Sequence, residues 1–276
     1  MVRQSPLLAL IFTAATILGG CGLLPDQKDE TKDWTAERFY SEASGALRDK
    51  NYQTAIKYYE LLDARYPYGR YAMQGKLDLA YAYYKDEEPE AAIDALDRFI
   101  QLYPASPALA YAYYLRGIVN FHQTMGFVDR FVPTDTAQRD PGAATESFRD
   151  FMQVIERYPD TAYARDARKR VIFLRNNLAS SEVHIAQNYL HRGAYLAAAK
   201  RANNVEANYQ RTPAVADALA IKADAYTQLG MTDLAADAKR VLALNLEQGT
   251  LVPETVDDVD ESWLRQFWEF LELDEN

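Results

Sequence analysis

The stretch from Phe39 to Pro67, FYSEASGALRDKNYQTAIKYYELLDARYP, limits what this chain can become, because its skeleton recurs down the sequence. An alanine-bearing segment is followed by a polar break at Asp49-Lys50-Asn51, then by Ala55, Tyr59, Leu62 and Tyr66 at helical spacing up to Pro67. Apolar positions with a helical period on both sides of a short break predict two helices folded back as a hairpin. Ala92, Leu96, Phe99 and Tyr103-Pro104 repeat the second half in register, as do Ser147, Phe151, Val154 and Tyr158-Pro159. Looser copies lie at Ala198, Ala202, Val205 and Tyr209, and at Ala235 and Leu242.

Pro67 and Pro104 are 37 residues apart and Pro104 and Pro159 are 55 apart. A period near the roughly 34 residues of tetratricopeptide (TPR) arrays, lengthened once by an insertion, accounts for both spacings. Small residues fall where the two helices of such a hairpin must approach closely: Ala43 with Ala55, Ala80 with Ala92, Gly117, Ala198, and Ala223 with Ala235. Proline stops the second helix because it cannot donate the next hydrogen bond. One hairpin cannot bury both of its faces, so the copies must stack, and the expected fold is an all-α superhelical solenoid of about five TPR hairpins. A generic helical bundle with accidental alanines does not explain three Tyr-Pro stops in register.

The 276-residue chain is 49% apolar and 12% aromatic, enough for an ample core. Its net charge of −10 argues against a non-specific nucleic-acid binder or a basic membrane-surface patch, since both need a cationic face.

Residues 1–20 read as a signal peptide. Arg3 supplies the positive start, Leu7 to Leu18 is an apolar run too short for a permanent span, and it closes in Leu18-Gly19-Gly20-Cys21. This resembles a bacterial lipobox, in which the cysteine thiol accepts a diacylglyceryl group and the new N-terminus is acylated. Cys21 is the only cysteine, so disulfides are excluded. An ordinary secretory signal with a chance cysteine is the competing reading. An Asp directly after the cysteine resembles an inner-membrane retention signal; Gly22 stands there, which favours the outer membrane. Several acyl chains on one residue suffice for lasting attachment, so the expected state is lipid-anchored and not spanning. Residues 21–34, with Pro25 and the charged run 26–30, read as a tether, and Asp33 or Thr35 offers an N-cap for the first helix.

In TPR arrays the first helix of each hairpin lines the concave surface. The small residues at 43, 80 and 117 then place Tyr40, Leu47, Arg48, Tyr81, Tyr84, Lys85, Tyr114, Phe121 and His122 there. Aromatics with polar tips give contact area at low entropy cost, and cations can hold a carboxylate, so this groove suits peptide capture. The alternative is that most of these rings are inter-helix core. Residues 124–142 interrupt the third hairpin with two glycines, two prolines and no periodicity; Phe127, Phe131 and Val132 are placed to fold over the groove mouth.

The lipobox, RYPYGRYAMQGKLDLAYAYYK (65–85), AAIDALDRFIQLYP (91–104), Gln138-Arg139-Asp140-Pro141, and Ala194-Tyr195 after Arg192-Gly193 together resemble the BamD (ComL) family, in that family's order over roughly residues 15–248. The resemblance implies a TPR lipoprotein of the outer-membrane β-barrel assembly machinery, on the periplasmic face. Its partners would be a BamA-like β-barrel bound through the POTRA domain nearest the barrel, other small assembly lipoproteins, and unfolded outer-membrane proteins. It also implies that repeats one to three (35–178) receive the aromatic-ended C-terminal signal of those clients, while repeats four and five (179–248) bind partners.

The second helix of the fourth hairpin, Gly193 to Tyr209, has an alanine face beside Arg192, Lys200 and Arg201. Alanines let another backbone approach and an arginine can pair bidentately with a partner carboxylate. Arg201 resembles the family's BamA-contacting arginine, against the alternative of a solvated basic edge. Residues 249–276 depart from short family members: they carry nine acidic residues against the single Arg265, so most of the net charge sits there. Ser262 can cap a helix over Trp263–Leu273 with Trp263, Leu264, Phe267, Trp268, Phe270 and Leu271 largely apolar, either covering the last repeat or binding a partner.

Enzyme chemistry has little support. His122, His184 and His191 lack the i,i+4 pairing of a helical metal site, the single thiol is assigned to lipidation, and no glycine-rich phosphate loop is visible, so neither a metal nor a catalytic set is expected. A second class, a peptidoglycan-associated TPR lipoprotein that recruits or is a cell-wall hydrolase, remains open at this point. Co-purification with a POTRA-bearing barrel or with murein enzymes separates the two.

Overall fold

A computed structural model describes residues 29–125 and 141–249. Among these residues there are ten α-helices and no strand: α1 Ala36–Arg48, α2 Tyr52–Arg65, α3 Arg70–Lys85, α4 Pro89–Leu102, α5 Leu109–Met125, α6 Gly142–Arg157, α7 Ala162–His191, α8 Tyr195–Asn208, α9 Ala214–Gln228 and α10 Thr232–Glu247. The all-helical solenoid expected from the repeat is what forms. Successive helices pack as antiparallel neighbours: α1 on α2, α3 on α4, α5 on α6, the second half of α7 on α8, and α9 on α10.

Local chemistry sets the boundaries. Thr35 accepts the Arg38 N–H at 3.2 Å, Asn51 the Thr54 N–H at 3.3 Å and Thr161 the Ala164 N–H at 3.1 Å, each satisfying an amide with no partner inside its helix. Pro89 opens α4, where its missing N–H costs nothing. Four second helices end on a tyrosine: Tyr66, Tyr103, Tyr158 and Tyr209 share a φ between −124° and −133°, and each donates its N–H to the carbonyl four residues back. At the first three the following proline excludes the helical region for the residue before it.

The turns inside the hairpins repeat as well. Lys50, Glu87, Gly193 and Gly230 adopt left-handed φ values of 57–75°, and the next residue's N–H closes onto the carbonyl five back in every case, at 2.9 Å. This is the Schellman way to satisfy helix-end carbonyls.

The cores are shared between neighbours. Phe39, Ala43, Ala55, Tyr59 and Leu62 pack with Leu79 and Ala82; Leu77, Ala92, Leu96 and Phe99 pack with Leu109, Ala112 and Leu115; Phe121, Phe151 and Val154 pack with Ala167 and Leu174. The small residues sit at the closest approaches. A Cβ on Gly117 would lie 2.8 Å from the Phe151 ring, and one on Gly75 would lie 2.9 Å from Leu62.

Two findings depart from the sequence reading. Helix α7 is one unbroken element of 30 residues, about 45 Å long, because nothing between 162 and 191 breaks it; the expected division at 178/179 lies inside it, where the core passes from the cluster holding Leu178 to the one holding Ala179. Residues 29–34, expected as tether, are packed on the first hairpin. Arg65 donates to the Thr31 carbonyl at 2.6 Å and pairs with Asp29, Tyr66 Oη donates to the Trp34 carbonyl at 2.8 Å, and the Trp34 ring lies against Phe39 and Tyr58. Of the two candidate caps, Thr35 is the one used. The signal peptide, Cys21, residues 126–140 of the insert with Phe127, Phe131 and Val132, and the segment 250–276 lie outside the described residues.

Candidate functional site

Helix α3 puts Tyr71, Gln74, Asp78, Tyr81 and Lys85 at successive three- and four-residue steps, which is one helical face. At its centre the half-buried Asp78 collects three donors from two hairpins. Tyr40 Oη donates to Oδ2 at 2.9 Å, Tyr59 Oη to the same oxygen at 3.3 Å, and Gln74 Nε2 to Oδ1 at 2.9 Å. The Tyr40 ring lies against Tyr59 and Tyr71 with centroids 6.1 and 5.5 Å away. Burial pushes the Asp78 carboxyl above its ordinary value, against the pull of its three donors. Burial and then the Asp78 charge push the Tyr40 phenol up to about 12.

The face continues along α5 and α7. Tyr111 is held against Tyr163 at 5.7 Å, and its hydroxyl is pushed above its ordinary value by burial first and then by Asp78, Tyr163 and Tyr84. Tyr114 Oη donates to Asp166 Oδ2 at 2.7 Å, and Arg170 Nε donates to the same oxygen at 2.5 Å. Tyr84 stacks on His122 at 5.5 Å with its hydroxyl 2.6 Å from Nδ1, and Tyr81 lies 6.2 Å from Tyr84.

The structure brings Tyr40, Tyr81 and Tyr84 onto this face as half-buried rings. Arg48 is exposed at the end of α1, where its charge lowers the phenol pKa of Tyr40 and Tyr59 against their upward shifts, and Lys85 is half-buried at the end of α3. Phe121 is not a groove residue. At 1% exposure it is packed edge-on against Phe151 and Phe173 under the Arg170 guanidinium, because on α5 it faces α6 and α7. The Tyr114 ring is also core, at 7% exposure, and contributes through its hydroxyl. The register set by the small residues at 43, 80 and 117 does not include Tyr71, Gln74, Asp78, Tyr111, Tyr163 and Asp166. The polar members of the 71–74–78–81–85 stripe were the available signal.

A second candidate surface lies on α8. Arg192 caps α7 and is exposed, Gly193 turns the chain at φ 75°, and Lys200 is exposed. Gly193, Ala194, Tyr195, Leu196, Ala197 and Leu229 line a shallow apolar depression with Lys200 at its edge. Arg201 is held within the chain: Nη1 donates to both Glu182 carboxylate oxygens at 3.0 Å, and that carboxylate keeps the guanidinium pKa up. Among the described residues no group of three His, Cys, Asp or Glu is placed to hold a metal, and no helix is long and apolar enough to cross a membrane.

A solenoid of stacked helical hairpins with one tyrosine- and carboxylate-lined face is an architecture of the TPR-like class. The chain belongs to the outer membrane lipoprotein family YfiO, whose model matches residues 32–242. It is 41% identical over 238 residues to outer membrane protein assembly factor BamD of Neisseria meningitidis serogroup A, covering 86% of this chain and 89% of that one. It is 36% identical to BamD of Vibrio cholerae, covering 84% and 95%, and 36% identical to BamD of Xylella fastidiosa strain Temecula1, covering 87% and 81%.

Proposed function

We propose that this chain is an outer membrane protein assembly factor: a non-enzymatic, lipid-anchored scaffold on the periplasmic face of the outer membrane. It receives unfolded outer-membrane proteins on its first three hairpins and binds a BamA-like β-barrel, through a POTRA domain, with its fourth and fifth. Other small assembly lipoproteins complete the set of partners. The observation that carries this is the likeness to BamD proteins along most of both chains.

The geometry supports the division of labour. Rings with polar tips on rigid helices suit extended segments with an aromatic end, and Leu196 in the depression edged by Lys200 offers an apolar anchor beside a cation. Diacylglycerol and an N-acyl chain on Cys21 supply the anchor, and no other cofactor is required. Tagged full-length protein, isolated from detergent-solubilised membranes, should retrieve a large POTRA-bearing barrel and bind a synthetic peptide ending in phenylalanine about tenfold or more tightly than the same peptide ending in alanine, since burying a ring is worth roughly 1.5–3 kcal/mol. Retrieval of murein hydrolases alone would overturn the assignment. Cys21→Ala should release the protein from the outer membrane and abolish incorporation of labelled palmitate.

A further inference from the structure

Gly45 lies three residues before Arg48 on α1, and a Cβ built on it would meet Nη2 of Arg48 at 3.9 Å. The Arg48 guanidinium therefore folds back over the preceding turn, the direction that long helical side chains take. There its charge counteracts, at the hydroxyls of Tyr40 and Tyr59, the upward push of burial and of Asp78. The Asp78 carboxyl answers instead to burial first and then to its three donors, Gln74, Tyr40 and Tyr59. Two phenols thus stand between the arginine and the carboxylate, and they fill Oδ2 while Gln74 fills Oδ1. Among the described residues no carboxylate pairs with Arg48, although the chain carries a net charge of −10. Arg70, at the start of α3, is committed differently: its guanidinium lies over the Tyr71 ring at 4.6 Å and its Nη2 donates to the Tyr71 hydroxyl at 2.7 Å.

We infer, on the reading of the first three hairpins as the client receptor, that Arg48 holds the free terminal carboxylate of an extended client whose last ring lies on Tyr40 and Tyr71. The terminal carboxylate and the last side chain hang from one Cα, so a receptor for both needs a cation beside its rings. Helix α1 supplies the two together, with the Tyr40 and Tyr71 rings 5.5 Å apart and both half-buried. A guanidinium presents a planar fork that matches a carboxylate bidentately, which an ammonium cannot do. Tyr40 and Tyr59 have a second task in this arrangement. By occupying Asp78 they keep the carboxylate of the groove from neutralising the arginine, and the cation stays available to a ligand.

The test measures binding of a synthetic peptide ending in phenylalanine to the full-length protein, once as the free acid and once as the C-terminal amide. The wild type binds the acid about tenfold more tightly, as a charge-assisted pair allows. Arg48→Gln binds both forms with the wild type's affinity for the amide, and Arg48→Lys keeps part of the preference. Tyr40→Phe keeps the ring but frees an Asp78 oxygen to compete for the guanidinium, so the preference falls at least about threefold, and adding Asp78→Asn restores it. Arg98→Gln, at an exposed arginine on α4, changes nothing. Equal affinity of the wild type for acid and amide overturns the assignment and leaves the receptor reading standing, whereas binding of neither form overturns both. Loss of the preference in Arg70→Gln or Lys85→Gln but not in Arg48→Gln overturns it too, because another cation is then the anchor. So does an unchanged preference in Tyr40→Phe, or an amide with an internal glutamate that binds as tightly as the free acid, which would make a side chain the ligand.

Discussion

The Tyr40 hydroxyl donates to Asp78 at 2.9 Å across the joint between the first two hairpins, so the centre of the candidate groove is a carboxylate held by phenols. Because burial raises the native Asp78 pKa, the folded chain keeps that proton at pH values where the unfolded chain has lost it. Stability from this site therefore falls as pH rises from the ordinary carboxylate value through the raised native one, and is flat above it. The melting temperature of Asp78→Asn minus that of the wild type should grow over the same window. A difference that shrinks as pH rises would mean that the three donors outweigh the burial.

Arg116 on α5 holds Asp150 of α6 bidentately, Nε to Oδ2 at 2.9 Å and Nη2 to Oδ1 at 2.6 Å, and pairs with Asp97 of α4 as well. Asp150 is 2% exposed, so Arg116→Ala leaves a buried charge without its partner at a cost of about 3–5 kcal/mol. The double variant Arg116→Met, Asp150→Leu should recover most of that loss in urea unfolding. If the single variant lost less than the double, the pair would not be what holds these helices.

Gly117 and Gly230 separate packing from backbone conformation. In Gly117→Ala the new methyl meets the buried Phe151 ring at 2.8 Å, and an overpacked core costs roughly 1–3 kcal/mol despite the gain in helix propensity. At Gly230 nothing lies within 4 Å of the new Cβ, and only the φ of +71° opposes it, at about 1–2 kcal/mol. Both variants should melt earlier. Only Gly117→Ala should alter the near-ultraviolet spectrum of the aromatic core, and an unchanged spectrum there would show that the ring moves aside freely.

Arg201 is engaged by Glu182 inside the chain, so its role toward a partner is testable as a competition. Arg201→Glu should weaken binding to a POTRA fragment at least about tenfold, and Glu182→Gln, which frees the guanidinium, should hold or strengthen it. Lower melting temperatures for both variants with unchanged dissociation constants would confine the arginine to an internal brace.

The sequence by itself determined the repeat, its small-residue contacts and its stops, because these follow from interactions within one hairpin. A small residue must stand where two helices touch, and a residue before proline must leave the helix. Only the tertiary structure decided which residues of the first helices face the groove. Phe121 and Tyr84 both lie on first helices, yet one is core and the other half-exposed, since that depends on how each hairpin rotates onto the next and on where α7 runs without a break. The same geometry turned Asp78 from one polar residue on a helix into the acceptor shared by Tyr40, Tyr59 and Gln74. A carboxylate's surroundings are supplied by residues 19 and 38 positions away, and a helical period carries no information across that distance.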